Sequence, residues 1–260
     1  MTKNRRLVAA LACRAKGSRL YGKPLQPLDI QAQYTILDFM IDGLKARSEI
    51  DDIVLGIADG NENLVFIEVA HKHGIPFIIG SEKDVLFRLI QCGRAGAATD
   101  VFRITTECPF IAWELLSPVW QAHVQHKNDI TVTDYMAEGM NFEIYTQESL
   151  ERSHAKGGEY ERSEFCSAYP RRHPDEFKIQ ILKPVPAAQR LDLRLTVDYP
   201  EDLFVCRQVY EALKHKAPHI PIQDIIQYLD AHPHLNEMLK KFIDTTPIWA
   251  SVVEGKVSAA

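Results

Sequence analysis

Leu7 to Leu28 reads LVAALACRAKGSRLYGKPLQPL. Its first seven residues, Leu7 to Cys13, form an apolar run of the length expected for a buried strand. A polar loop follows with four cations in ten residues, Arg14, Lys16, Arg19 and Lys23, and with Gly17, Ser18 and Gly22 among them. Such a loop after a buried strand suits a polyphosphate. Glycine lets the backbone approach closely, main-chain N–H groups can converge on anionic oxygens, and Lys and Arg neutralise charge. The P-loop spacing G-x-x-x-x-G-K-[ST] is absent. By physics alone the stretch is either a phosphate site or a solvated basic turn.

The 260 residues suffice for one sizeable α/β domain, or a domain with a small appendage. A net charge of −5 argues against nucleic acid as a partner, so any anion site must be local. Cys13, Cys92, Cys108, Cys166 and Cys206 include no C-x-x-C pair, which points to reduced, cytoplasmic usage without disulfides or zinc. Lys3, Arg5 and Arg6 before Leu7–Ala12 imitate a signal peptide, and Leu11-Ala12-Cys13 imitates a lipoprotein cleavage site. The apolar run is short for a signal and is followed by basic residues, so export is disfavoured. No run approaches the ~20 apolar residues of a membrane span, so no membrane association is expected.

Downstream, Ala32–Leu44 has apolar residues at helical spacing. Strands are expected at 53–58, 75–79 and 100–105, alternating with helices at 63–72 and 85–97. This alternation is the signature of right-handed βαβ units in a mainly parallel sheet. Ligands of such sheets lie beyond the carboxyl ends of strands. The polar clusters at 14–23, 59–62, 80–84 and 106–109 each follow a strand and so converge on one edge. Further on, a helix is expected at 115–126 and a strand at 129–133. A half-exposed strand is expected at 140–145, a helix at 146–154, a mobile polar stretch at 155–162 and a strand at 177–182. Residues 191–198 alternate Leu191, Leu193, Leu195 and Val197 with Asp192, Arg194, Thr196 and Asp198. Pro200, Glu201 and Asp202 then suit the start of a helix. A helical stretch at 222–242 and an aperiodic tail at 243–260 complete the chain. The expected organisation is an α/β domain over 1–220 and a C-terminal helical appendage and tail over 221–260.

Four stretches together resemble the CMP-sugar synthetase-like cytidylyltransferases, especially their spore-coat-polysaccharide branch. They are ALACRAKGSRLYGKPL at 10–25, GSEKDVLFR at 80–88, VFRITTECPFI at 101–111 and LRLTVDYPEDL at 193–203. They stand in family order and spacing, and the resemblance covers about residues 7–215. It implies a Rossmann-like, mainly parallel sheet flanked by helices, of the nucleotide-diphospho-sugar transferase type, with a small β-containing insertion around 139–182. It implies transfer of CMP from CTP to an acidic sugar or related acceptor, with release of pyrophosphate, in surface polysaccharide or glycoconjugate synthesis. A divalent cation, Mg²⁺ or Mn²⁺, and a homodimer are implied as well.

By the same resemblance Arg14, Ser18 and Lys23 hold the triphosphate, with Arg19 close, and Arg14 and Lys23 are the catalytic cations. The backbone of Ala10, Leu11 and Ala12 reads the base, and Ser81 and Arg88 line the nucleotide side. Glu107 and Asp198 hold the metal, as a hard cation binds one or two carboxylates plus substrate phosphates. Glu164 and Tyr169 face the acceptor. The bland alternatives are a surface salt bridge for Arg19, a helix cap for Asp198, a structural ion pair for Arg88, a strand-end turn for Asp59 and simple packing for Cys108. The histidines show no ligand spacing and read as surface residues.

Two departures bear on activity. Relatives usually have Gly-Asp where this chain has Thr106-Glu107, which moves the carboxylate by one methylene and adds bulk. The family's Arg-Glu-His-Val-Thr-x-Tyr stretch is Ser163-Glu164-Phe165-Cys166-Ser167-Ala168-Tyr169 here, so an unusual acidic sugar, a phosphonate or a sugar phosphate is an expected acceptor. A non-catalytic nucleotide-binding or scaffolding descendant, or a transferase of another base, remains the alternative.

Overall fold

Strand β1 (Leu7–Cys13) runs through the middle of a single large sheet and is buried along nearly its whole length. The computed structural model describes residues 5–249 and the backbone of 257–259. Leu7, Ala9, Leu11 and Cys13 enter one core, while Val8 and Ala10 enter a second core on the other face. Burial on both faces explains why the sequence shows a continuous apolar run instead of an alternation.

In chain order the other strands are β2 (Pro27–Asp29), β3 (Tyr34–Thr35), β4 (Asp52–Ala58), β5 (Phe77–Gly80) and β6 (Asp100–Arg103). They continue with β7 (Ile130–Thr133), β8 (Glu143–Thr146), β9 (Ile179–Lys183) and β10 (Val257–Ala259). β2 and β3 form a separate antiparallel ribbon, and the rest lie in the order β10-β9-β7-β8-β6-β1-β4-β5. β1 pairs in parallel with β4 and β6, β4 with β5, and β9 with β7 and β10. β8 is antiparallel between β6 and β7. The chain leaves β1 toward β4 and β5, then returns to β6 on the other side. That reversal opens a crevice beyond the carboxyl ends of β1 and β6.

The flanking helices follow from their apolar stripes. Helix Ile36–Lys45 starts at a Thr35–Asp38 capping box and buries Ile36, Phe39, Met40 and Leu44 in the first core. Helix Val85–Ala95 is capped by Asp84 and places Leu86, Leu89 and Ile90 in the second. Helix Pro200–Leu213 starts with proline in its first turn, and Asp202 accepts hydrogen bonds from the N–H groups of Asp198 and Tyr199.

Several expectations need correction. The 139–182 segment contributes β8 and β9 to the main sheet, and helices lie between them. β8 is buried, not half exposed, because it sits between two strands. The polar stretch at 155–162 ends in a short helix, Glu159–Arg162. The helical stretch at 222–242 is two helices, Ile222–Ala231 and Pro233–Leu239, because Pro233 has no N–H with which to continue the first. These helices bury Ile225, Leu229 and Leu235 in the core that contains Leu7. Two histidines are not at the surface. His123 is fully buried between Asp100 and Thr131, and His73 hydrogen-bonds Asp38 at 2.6 Å.

The five cysteines are free and buried, as expected of reduced usage. Of the expected tail, Trp249 is buried in the second core and β10 lies on the sheet edge, while residues 250–256 and 260 lie outside the described residues. So does Lys3 of the signal-like N-terminus. Among the described residues no helix is long and apolar enough to cross a membrane.

Candidate active site

The loop after β1 is held from below and from behind. Asn63, almost fully buried, accepts the Ala15 N–H at 2.7 Å, and the Gly22 N–H closes the loop on the Ala15 carbonyl at 2.7 Å. A Cβ on Gly17 would stand 2.3 Å from the Leu20 carbonyl oxygen, and Gly22 adopts φ +60°, so both positions require glycine. The loop thereby presents Arg14, Lys16, Ser18, Arg19 and Lys23 to a cleft at the carboxyl ends of β1 and β6. Arg88 and Arg103 form other parts of its lining, and Thr106, Glu107 and Glu164 complete the far side.

Charge in this cleft is unlike that of the whole chain. Six cations line it (Arg14, Lys16, Arg19, Lys23, Arg88 and Arg103) against two carboxylates, Glu107 and Glu164. Arg88 is 1% exposed and pairs with no carboxylate among the described residues. Its guanidinium donates to the carbonyls of Gly56 at 2.7 Å and Cys13 at 3.2 Å, tying the ends of β4 and β1 together. Burial lowers its pKa, and its Nε has no partner among the described residues. A buried guanidinium in this state gains from an anion placed in the cleft.

Asp198 stands where three cations meet. Lys23 Nζ lies at 2.5 Å, Arg19 at 2.9 Å and Arg194 at 2.9 Å. The Arg19 guanidinium also sits 5.0 Å above the Tyr199 ring. Burial alone would raise the Asp198 carboxyl, but the hydrogen bond and charge of Lys23, with Arg19 and Arg194, outweigh it and hold the group below its ordinary value. Arg194 is the hub beneath, pairing with Glu138, Asp198 and Asp202.

Glu107 is the opposite case. Burial pushes its carboxyl up, Lys23 counteracts this, and Asp198 adds to it. A raised folded-state pKa stabilises the fold below the ordinary carboxyl range, and this contribution is lost as pH rises through the folded value. Glu107→Gln should therefore raise the melting temperature at neutral pH by a few degrees and leave it little changed in acid. Melting curves from pH 4 to 8, roughly spanning the carboxyl titration, check this.

Of the residues expected from sequence, the structure brings Ala12, Arg14, Ser18, Arg19, Lys23, Arg88, Glu107 and Glu164 to one cleft, with Asp198 in the adjoining chamber. Arg14 reaches across to Glu164 at 2.8 Å and toward Glu82 at 3.7 Å. Four residues do not arrive. Ala10 and Leu11 do not line the cleft with their side chains, which turn into the two cores, and the expectation for them concerned their backbone alone. The Ser81 hydroxyl accepts from the N–H groups of Lys83 and Asp84 in a turn, while Glu82 to Val85 line the cleft's outer mouth. Tyr169 is buried, its hydroxyl donates to Glu176 at 3.2 Å, and its ring stacks on His173. Asp59 is a turn residue, accepting from the Glu82 N–H. Sequence reasoning missed Asn63, Arg103, Glu138, Glu143 and Trp249. Arg194 and Thr196 were legible, since they share the polar side of the 191–198 alternation with Asp198.

No family model matches the chain. The spore coat polysaccharide biosynthesis protein SpsF of Bacillus subtilis (strain 168) is 25% identical over 228 residues, covering 86% of this chain and 93% of that protein. A cytidylyltransferase from Leptospira borgpetersenii superposes with a TM-score of 0.78 at 22% identity, over 89% of this chain and 97% of that one. The chain shares the fold of that cytidylyltransferase and is similar in sequence to the spore coat polysaccharide biosynthesis protein. A CMP:2-keto-3-deoxy-manno-octonic acid synthetase solved with CTP shares the fold, with a TM-score of 0.59 at 12% identity over 80% and 99% of the two chains.

The Thr106-Glu107 departure is accommodated in this fold. Thr106 is buried, and its hydroxyl donates to the Ala12 carbonyl at 3.2 Å, so the added bulk caps the end of β1. Glu107 lines both the cleft and the chamber beside it, and its backbone carbonyl accepts from Val197 at 2.9 Å, next to Asp198. No cluster of three His, Cys, Asp or Glu side chains among the described residues could hold a metal ion. Glu107 and Asp198 both line the adjoining chamber, and one or two carboxylates with phosphate oxygens are the kind of donor set a hard divalent cation takes.

Proposed function

We propose that this chain transfers CMP from CTP to a hydroxyl-bearing, sugar-like acceptor and releases pyrophosphate. The observation that carries this is the six-to-two excess of cations in the cleft of a chain whose net charge is −5. The CTP-bound synthetase with the same fold and the polysaccharide relative support cytidine and a glycoconjugate pathway.

In the displacement, an acceptor oxygen forms a bond to the α-phosphorus. The α–β phosphoanhydride bond breaks, its electron pair leaves with pyrophosphate, and the hydroxyl proton passes out to solvent. Lys23, Arg19 and Arg14 are placed to bind the phosphates and to stabilise charge that builds on the leaving group. Each must first exchange a carboxylate, Asp198 or Glu164, for phosphate oxygen. Arg88 holds the cleft floor rigid by fixing the ends of β1 and β4. A divalent cation held by Glu107 and Asp198 would neutralise phosphate charge.

Calorimetric titration with CTP, GTP, UTP and ATP is the test, followed by a Mg²⁺-dependent pyrophosphate assay. CTP should bind best, and Lys23→Ala should weaken it about 10²-fold. A chain that binds no nucleotide, or binds CTP equally well without Lys23, sinks the proposal.

A further inference from the structure

Arg103 ends β6 where the cleft and the adjoining chamber meet, and it lines both. In the sheet it stands directly opposite Glu143 of the antiparallel β8, so the two side chains leave the same face. Arg103 Nη1 lies 2.5 Å from the Glu143 carboxylate. Nη2 makes only a long contact, 3.4 Å, with the Glu164 carbonyl. A guanidinium carries N–H donors along its whole planar fork, so much of this one lacks an acceptor among the described residues. The side chain is 14% exposed, which leaves it open to a ligand in either cavity.

Glu143 is held from three sides. It is nearly buried, and besides Arg103 it accepts the Tyr145 hydroxyl at 3.0 Å and the Trp249 indole N–H at 3.1 Å. Tyr145 and Trp249 are core residues, and the Trp249 N–H is itself anchored on Asp134 at 2.7 Å. A buried carboxylate fixed in this way does not readily exchange its cation. Arg103 therefore differs from Arg19 and Lys23, which share Asp198 and must leave it to meet phosphate. Glu143 takes one edge of the Arg103 fork and keeps the other pointing at the junction, so no rearrangement has to precede binding.

In cytidylyl transfer one group must be reached from both cavities. The α-phosphoryl group is bonded to the nucleoside and is attacked by the acceptor, whereas the β- and γ-phosphates leave together as pyrophosphate. We propose that Arg103 contacts the α-phosphoryl oxygens of the bound cytidine nucleotide, through the N–H groups that Glu143 leaves open. Glu143 and Trp249 are then positioning residues that act through Arg103. This rests on the cytidylyl-transfer proposal for the identity of the nucleotide and the side from which the acceptor enters.

Calorimetric titration of the full chain with CTP, CMP and inorganic pyrophosphate is the test. Arg103→Gln alone would leave Glu143 buried without its cation, so it is combined with Glu143→Gln, which removes both charges together. The double variant should bind CMP and CTP about tenfold more weakly and pyrophosphate as the wild type does. Arg103→Lys keeps the charge beside Glu143 but replaces the fork with one ammonium, and the same split is expected, so it decides if the double variant does not fold. Trp249→Phe keeps a ring in the core and removes the indole N–H. It should weaken CMP about threefold and leave pyrophosphate unchanged, a separation that loss of packing alone would not give. Wild-type affinity for CMP in the Arg103 variants, or an equal loss for pyrophosphate, overturns the assignment of Arg103. A Trp249→Phe chain that binds CMP as the wild type does overturns the positioning role. Wild-type protein that binds neither CTP nor CMP refutes the transfer proposal itself.

Discussion

Asp198→Ala is expected to lower Mg²⁺-dependent pyrophosphate release on the order of 10³-fold without weakening CTP binding. The reason is its position between two roles. In the free protein the carboxylate neutralises Lys23, Arg19 and Arg194. On the proposed function, CTP phosphates would draw the first two cations away, and the carboxylate would then be free to hold a divalent cation. Removing it frees Lys23 and Arg19 before CTP arrives, so affinity should hold or rise while turnover collapses. Steady-state rates beside calorimetric affinities separate the two effects. Equal losses in both would mean that Asp198 only braces the loop. Turnover that survives, together with CTP binding that does not depend on metal, would favour a non-catalytic descendant.

Arg194→Leu is the largest expected effect on stability. Its side chain is 4% exposed and is surrounded by Glu138, Asp198 and Asp202. Leucine fills much of the space but takes the cation from the buried Asp202 and from Glu138, while Asp198 keeps Lys23 and Arg19, and breaking a buried pair this way costs about 3–5 kcal/mol. Asp202 also caps the helix at Pro200 through the N–H groups of Asp198 and Tyr199, so the loss should spread to that helix start. Urea denaturation of the two proteins measures it. Arg194→Lys should recover only part of the stability, because an ammonium lacks the planar fork that serves three partners. A change below about 1 kcal/mol would show that water compensates the cluster as it does at a surface.

Both predictions concern one stretch, 193–203, and it shows where sequence reading stops. The alternation put Arg194, Thr196 and Asp198 on one side, and the structure keeps them together. The alternation did not show that this polar side would also be buried, because burial there depends on Glu138 arriving from a distant segment. Arg194 and Glu138 meet across an isolated bridge although they stand 56 positions apart in the chain. The same limit applies to Tyr169. A matching motif position suggested a substrate contact, yet its hydroxyl is taken by Glu176 and its ring packs inside.

Local chemistry determined the rest by itself. Apolar runs buried on two faces, separated by amphipathic helices, allow few arrangements other than a parallel sheet with its site at the strand ends. Glycines at 17 and 22 and four cations specify a loop that can hold phosphate, because those properties belong to the residues themselves. Only the tertiary structure decided which charges cancel. The cleft keeps Arg88 without a carboxylate partner among the described residues, and the adjoining chamber is neutralised pair by pair, from Arg103–Glu143 to Arg194–Glu138. Ion pairing acts over a few ångströms between segments far apart in the chain, and no local pattern encodes that distance.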